Sequence, residues 1–146
     1  MARPTTAKSK KVRVLLGDGA TPEVFTAACA LREKSFNRSK ETNSTAIPDC
    51  DPDAPAGYTE SDVVSQSATI SGSGVMTLGD FDRWEAAWNS SESVSVRHVT
   101  TYGDGTVVTR EGKFHLTSFE EGASDGEVVQ VSFTMENDGP VTTTKV

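Results

Sequence analysis

The chain has 146 residues, 35% of them apolar and 24% charged, with a formal net charge of −7. This length is enough for one globular domain with one hydrophobic core, and we expect residues 1–146 to form a single domain. No apolar run approaches the about 18 residues that cross a bilayer, and no apolar stretch follows the basic N-terminus as in a signal peptide. The composition excludes spanning helices and predicts a soluble protein that starts in a cytoplasm.

Charge is unevenly distributed along the chain. Residues 1–40 contain nine Lys or Arg against three Asp or Glu, whereas residues 41–146 contain five against eighteen. A basic N-terminal arm, residues 1–10, therefore precedes an acidic body. Such an arm is suited to binding nucleic acid or to docking on the body of another subunit, and it is equally consistent with a solvated tail.

The segment after the arm predicts strands. Residues 11–16 place valine and leucine side chains on one side of an extended segment, and residues 17–19, Gly-Asp-Gly, predict a turn. Residues 26–40 are consistent with one or two further strands, although residues 26–33 have equal helical propensity. The pattern leaves both alternatives open here.

A polar stretch over residues 42–60 contains Pro48, Pro52 and Pro55. Proline removes a backbone donor, and the stretch has almost no apolar side chains, so we predict a long exposed loop. Such loops are uncommon in compact domains unless they are functional, which suggests an inter-subunit loop, with simple disorder as the alternative. A strand pattern resumes over residues 63–76, where the glycines predict a bulge or bend.

One short amphipathic helix is predicted at about residues 80–89, with Asp80 as its N-cap. Phe81, Trp84 and Trp88 fall on one face of it. Aromatic side chains at this spacing are typical of core packing rather than of a ligand site. We therefore expect all three to pack onto the sheet.

Three strands follow in series, over residues 93–102, 106–119 and 127–136. The sequence Tyr102-Gly103-Asp104-Gly105 is a strong signal for a tight hairpin between the first two. Apolar side chains alternate with mostly polar ones in the last strand, which predicts one buried face formed by Val129, Val131, Phe133 and Met135. The whole pattern predicts a mainly β fold.

Candidate catalytic and metal-binding residues are few. His98 and His115 are the two histidines, and neither has a carboxylate or nucleophile at a recognisable motif spacing. Cys29 and Cys50 lack the spacing of a zinc site or a disulfide framework. We predict no catalytic site, no metal and no cofactor, and we expect both histidines to be surface or packing residues.

One acidic run imitates a calcium-binding loop. Asp49, Asp51 and Asp53 precede Glu60 at the twelfth position of the run. The sixth position is Ala54, where the tight turn of such a loop needs glycine, and prolines stiffen the run. We therefore disfavour calcium binding.

The ordered features resemble the major tail tube protein of long-tailed bacteriophages and of gene transfer agents. The resemblance extends over most of the chain and rests on the order of its segments rather than on one diagnostic motif. The segments are VLLGDGATPEVF at residues 14–25, SATISGSGVM at 67–76, the single helix, GKFHLTSFE at 112–120 and VVQVSFTMENDGPV at 128–141.

This resemblance implies a β-sandwich or barrel of the phage tail tube type with one flanking helix. It implies six copies per ring, stacked rings, and a hollow tube that delivers DNA to a host cell and has no catalytic site. The implied partners are further copies of the chain, the tail terminator, the tape measure and the distal tail proteins. An acidic channel would let DNA pass without sticking.

The arm and the loop are our candidates for contacts between subunits, although the residues that face the channel cannot be assigned from sequence. Opposite charges on neighbouring copies would attract them to one another. The candidate oligomerisation residues are Lys8, Lys10, Lys11, Arg13, Asp49, Asp51, Asp53 and Tyr58.

Three alternatives differ in what they assemble. A monomeric barrel or sandwich would bind a small molecule or glycan through Trp84, Trp88 and Tyr102 and form no rings. A secretion-system tube subunit would share the architecture. A capsid decoration or tail-terminator protein would form one ring or trimer rather than a filament. A DNA-binding role for the basic arm is disfavoured because the acidic body would repel phosphates.

Overall fold

A computed structural model describes residues 3, 5–17, 25–27, 31–48, 50–51, 53 and 57–146. Over these residues the chain forms seven strands and one helix, and this helix is too short to cross a membrane. The elements, in chain order, are β1 (Ser9–Gly17), β2 (Phe25–Ala27), β3 (Leu31–Ala46), β4 (Thr59–Val75), α1 (Leu78–Asn89), β5 (Val94–Tyr102), β6 (Val107–Gly122) and β7 (Gln130–Lys145).

The strands form one antiparallel sheet in the order β2-β1-β5-β6-β7-β4-β3. The sheet curls, so that side chains of β3 reach the strands near its opposite edge. Lys34 of β3 donates a hydrogen bond of 2.8 Å to the carbonyl oxygen of Val12 in β1. The ring of Phe36 lies 5.6 Å from that of His98 in β5. The predicted mainly β fold with one flanking helix is confirmed.

The core lies on the inner face of this curled sheet. Alternation along β1 buries Val14 and Leu16. Alternation along β7 buries Val131, Phe133 and Met135, which are three of the four residues predicted to form its buried face. Val129 precedes that strand and is half-buried against the core. The buried cluster consists of Val14, Leu16, Leu31, Ala68, Ile70, Trp84, Val96, Phe114, Val131, Phe133 and Met135.

The hairpin between β5 and β6 has the predicted turn. The amide of Tyr102 donates to the carbonyl oxygen of Thr106 at 2.8 Å, and Gly105 has a φ of +93°, which favours glycine. The carboxylate of Asp104 accepts a hydrogen bond of 2.9 Å from the amide of Thr106. This hydrogen bond to the charged form lowers the pKa of Asp104.

The predicted loop at residues 42–60 is shorter than expected. Strand pairing continues from Thr42 opposite Val63 to Ala46 opposite Thr59, and the amide of Ile47 donates to the carbonyl oxygen of Tyr58 at 3.0 Å. The prolines all lie between residues 47 and 57, so the flanking residues keep the backbone donors that a ladder needs. Residues 25–27 and 31–46 are strand, whereas residues 28–30 of the ambiguous range lie outside the described residues. The predicted turn at residues 18–19 lies outside the described residues.

The helix begins at Leu78, and its N-cap is Thr77 rather than Asp80. Trp84 is buried, with ring centroids 5.2 Å from Phe119 and 4.9 Å from Phe133. The core prediction is wrong for the other two aromatic residues of the helix. Phe81 is 41% exposed and Trp88 is 52% exposed, because the helix meets the sheet along a narrow stripe centred on Trp84.

Gly72 of β4 allows the backbone of Glu33 and the ring of Phe133 to approach closely, and the glycines form no bulge in their own strand. β4 pairs with β7 without a break from Thr69 to Val75. The irregularity lies in the neighbouring strand, where Leu31 faces Gly74 and Glu33 faces Ser73, so that one extra residue is accommodated in β3.

Candidate assembly surfaces

A two-stranded projection leaves the sheet where β4 parts from β7. β4 pairs with β7 over residues 69–75 only, whereas β3 and β4 continue to pair with each other as far as Ala46 and Thr59. We call residues 37–48 and 57–67 the projecting hairpin. Every residue in these two ranges is exposed. At about 3.3 Å per residue the projection extends on the order of 30 Å.

Several apolar side chains of this hairpin are exposed. Tyr58 is 92% exposed, Val64 64%, Val63 51% and Ile47 43%. Val64 is the extra residue of a β-bulge, because Glu41 faces Ser65 and Thr42 faces Val63. A two-stranded ribbon is marginally stable in water unless something packs on it. Over the described residues, β4 pairs only with β3 before Thr69, so its other edge offers backbone groups to which another strand can pair.

The predicted acidic residues of the loop lie at the tip of the hairpin. Asp51 and Asp53 are exposed, and the carboxylate of Asp51 accepts a hydrogen bond of 3.0 Å from the amide of Asp53. Asp49 lies outside the described residues. Glu60 belongs to β4 and faces Thr45. Within the described ranges no three His, Cys, Asp or Glu side chains are grouped as a metal site requires.

The basic residues of the N-terminal segment lie at the end of the sheet that carries the β5–β6 turn. The carbonyl oxygen of Lys8 accepts a hydrogen bond of 2.9 Å from the amide of Gly103. The side chains of Lys10, Lys11 and Arg13 are exposed along β1. Part of the predicted arm is therefore attached to its own subunit, while its charges face outward.

A cationic pocket, which sequence reasoning did not identify, opens at the base of the hairpin. It is lined by Arg38 and Lys40 of β3 and by Val141 and Thr143 of β7. Phe36 forms its floor. The weak pattern of residues 26–40 concealed this pocket, although two cations at alternate positions of a strand are a recognisable signal for one charged face.

His98 is the buried titratable group nearest to this pocket. It is 4% exposed, and neither ring nitrogen has a hydrogen-bond partner among the described residues. Burial, and next the positive charge of Arg110, lower the pKa of His98 from its ordinary value. It is a packing residue, as predicted. His115 is on the surface, 3.4 Å from a carboxylate oxygen of Asp138.

The sheet face opposite the core is rich in hydroxyl groups. The hydroxyl oxygens of Ser35 and Ser71 are 2.7 Å apart, and those of Ser39 and Ser67 are 2.6 Å apart. Thr117 donates to the carbonyl oxygen of Thr134 at 3.2 Å. Charges elsewhere on this face are partly paired across strands, as for Arg97 and Glu111 at 3.4 Å.

The residues of the ligand-binding alternative do not converge. Trp84 is in the core and Trp88 is half-exposed on the helix that precedes β5. Tyr102 is at the far end of β5, beside the N-terminal segment. The three aromatic side chains therefore form no common binding face.

Comparison with known proteins identifies the family. The sequence profile of the phage tail tube protein family matches residues 6–143. The fold is similar to a subunit from the tail of an empty gene transfer agent particle refined with C6 symmetry, at a TM-score of 0.68 and 21% identity, covering 90% of this chain and 95% of that one. It is also similar to a chain from the virion of a native gene transfer agent, at a TM-score of 0.64 and 22% identity, covering 89% and 95%.

A third similar structure is the tail tube of SPP1, at a TM-score of 0.62 and 16% identity, covering 92% of this chain and 75% of that one. The search of curated protein sequences found no match. The family profile covers nearly the whole chain, and the curled sheet with its single helix has the fold of these subunits. The chain therefore belongs to the phage tail tube protein family, as a structural subunit of a tail tube.

Proposed function

We propose that six copies of the chain form a ring and that rings stack into a hollow tube through which DNA reaches a host cell. The observation that carries this proposal is the projecting hairpin, which exposes Tyr58, Val63 and Val64 and on which no other described part of the subunit packs. The C6 symmetry of the gene transfer agent tail supports six as the number of copies.

Burial of the hairpin supplies a driving force for assembly. Complete burial of a valine-sized side chain contributes about 1.5–3 kcal/mol. Tyr58, Val63 and Val64 together expose enough apolar surface for several kcal/mol at each subunit contact. Because every copy carries the same hairpin, the contact repeats around and along the tube. Residues 42–60 thus act as the inter-subunit loop of the chain.

The basic residues Lys8, Lys10, Lys11 and Arg13 contribute long-range attraction in this proposal. They are exposed, and residues 41–146 of each neighbour carry eighteen acidic against five basic residues. Exposed charges at the edge of an interface mainly accelerate the encounter of two subunits and set their relative orientation, and they add less to affinity. Assembly should therefore be faster at low ionic strength.

The hydroxyl-rich face of β3, β4, β7 and β6 lines the channel in this proposal. Four strands from each of six copies would close a barrel of about 24 strands, and at ~4.8 Å between strands its backbone circumference is roughly 115 Å. Barrels of about 16–18 strands already leave an aqueous channel. Glu33 and Glu136 are exposed on this face and would repel phosphates.

In the particle, the tube would contact a tail terminator, a tape measure and distal tail proteins, and it would be assembled in the cytoplasm of a bacterial host. The particle would be a phage or a gene transfer agent. The proposed role is mechanical and requires no catalytic residue, metal or cofactor.

The experiment shortens the hairpin without breaking its pairing. Residues 42–64 are replaced by Asn-Gly, which closes a tight turn between Glu41 and Ser65 and removes Tyr58, Val63 and Val64. We expect a folded monomer by circular dichroism that no longer forms rings or tubes in sedimentation velocity. Leu78→Ser, at an apolar residue that is 93% exposed outside the hairpin, is the control and should assemble normally. Tubes of normal length from the shortened chain would contradict the proposed role of the hairpin.

A further inference from the structure

The cationic pocket concentrates positive charge that its own subunit leaves unneutralised. The guanidinium carbon of Arg110 lies 5.0 Å from the ring centroid of Phe36, and that of Arg38 lies 5.8 Å from it. Arg38 and Lys40 line the pocket, whereas Arg110 lies beside the lining residue Phe36. Over the described ranges, none of these three cations is within 4.0 Å of a carboxylate oxygen.

Part of this charge is withdrawn from water. The Nε atom of Arg110 is buried and has no hydrogen-bond partner among the residues that the structure describes. Burying a polar group without a partner costs free energy, and cations gathered around one ring repel one another. Their neighbour His98 is itself buried. The pocket, of about 640 Å³, is large enough for several side chains of an anionic segment.

The complementary feature is the acidic turn, residues 120–127, between β6 and β7. Glu120, Glu121, Asp125 and Glu127 are all exposed, and no Lys or Arg occurs from residue 114 to 144. The amide of Glu127 donates to the carbonyl oxygen of Ser124 at 2.9 Å, which closes the turn. Arg32 lines the same surface depression as Glu120 but forms no ion pair with it.

The acidic turn cannot reach the cationic pocket of its own subunit. Val141 and Thr143 line the pocket at one end of β7, whereas the turn precedes the other end of that strand at Gln130. Asn137 also lines the pocket, and it is seven residues from Gln130, a distance on the order of 20 Å at about 3.3 Å per residue. The two charged surfaces can therefore neutralise each other only between copies.

We propose that the acidic turn of one copy docks in the cationic pocket of a copy in the adjacent ring, an inference that rests on the proposed tube. The two surfaces differ, so the contact is heterologous and repeats from ring to ring without closing on itself. Every ring then stacks in the same direction. Because two rings facing each other would oppose like charges, the contact also disfavours reversed stacking.

The test exchanges the charges of the two surfaces. The pocket variant carries Arg38→Glu and Lys40→Glu, the turn variant carries Glu121→Lys and Glu127→Lys, and the swap variant carries all four substitutions. We expect the pocket and turn variants to remain folded but to need at least about tenfold more protein to form tubes. The swap variant, in which the charges are complementary again, should recover most of this loss. Lys113→Glu, at an exposed lysine that belongs neither to the pocket lining nor to the acidic turn, is the control.

Normal tube formation by the folded pocket or turn variant would overturn the inference while leaving the proposed tube intact. Failure of the swap variant to recover would overturn it too. The inference would also be overturned if the pocket variant assembled normally but no longer bound a labelled DNA duplex, because the pocket would then be a nucleic-acid binding site. Absence of tubes from the unmodified chain at every concentration would reject the proposed function itself.

Discussion

The ammonium group of Lys34 donates a hydrogen bond of 2.8 Å to the carbonyl oxygen of Val12. The two residues lie on β3 and β1, which are separated by four other strands in the order of the sheet. This contact therefore ties one edge of the curled sheet to the strand next to its other edge. It helps to hold the sheet closed over the core.

Replacement of Lys34 by methionine should destabilise the fold. The variant keeps the aliphatic stem but removes the donor, and hydrogen bonds that involve a charged group contribute about 1.5–3 kcal/mol. Urea unfolding of the monomer should show a loss of this size. Lys113→Met, at an exposed lysine, is the control and should change stability by less than about 0.5 kcal/mol. Equal effects of the two substitutions would show that the contact does not stabilise the closed sheet.

The two tryptophans of α1 should differ sharply in their effect on stability. Trp84 is 3% exposed and lies against Phe119 and Phe133, so Trp84→Ala should cost about 3–5 kcal/mol through the cavity that it leaves. Trp88 is 52% exposed, and Trp88→Ala should cost less than about 1 kcal/mol. Chemical denaturation of the monomer measures both losses. If the folded monomer tolerated both changes equally, the assignment of Trp84 alone to the core would fail.

Gly72 allows the sheet to pack closely. A methyl group on it would lie 2.5 Å from the carbonyl oxygen of Glu33 and 2.9 Å from the ring of Phe133. Gly72→Ala should therefore force a backbone shift and cost about 1–3 kcal/mol. A methyl group on Gly122 would meet no atom within 4 Å, so Gly122→Ala is the matched control within a strand. Thermal unfolding that ranks the two variants in the reverse order would contradict the packing described.

His98 should make stability depend on pH. Burial, followed by the charge of Arg110, lowers its pKa in the folded state, so below its ordinary value of about 6.5 the unfolded chain binds more protons than the folded one. Stability should therefore fall as the pH drops from about 6.5 towards the lowered pKa, and this contribution should level off below it. Denaturant unfolding at successive pH values measures the slope.

A substitution of the other histidine, His115, is the matched control for the pH dependence of stability that we assign to His98. His98→Leu should flatten the decline below about pH 6.5. His115→Gln removes the imidazole beside Asp138 and should leave the decline in place. A decline that persisted in His98→Leu would have to arise from other groups.

Local chemistry made some elements predictable. The turn after Tyr102 follows from glycine at the position of positive φ, and the buried face of β7 follows from strict alternation through Val131, Phe133 and Met135. The pairing of β4 with β7 and the return of β3 onto β1 could not be read in this way. They join segments far apart in the chain, and the alternation pattern specifies a face but not a partner.

The projecting hairpin and the cationic pocket could not be predicted from the sequence pattern either. Residues 42–46 are strand yet exposed on both faces, so the alternation that reports half-burial is absent from them. The exposed basic residues of β1 were predictable from charge counting. The pocket was not, because it combines Arg38 and Lys40 of β3 with Val141 and Thr143 of β7, which only the fold brings together.

Electron microscopy of the purified chain over a concentration series tests the central claim most directly. We expect rings with a central channel and hollow filaments above a threshold concentration, with sixfold symmetry in averaged end views. Uniform monomers at every concentration would contradict assembly into a tube.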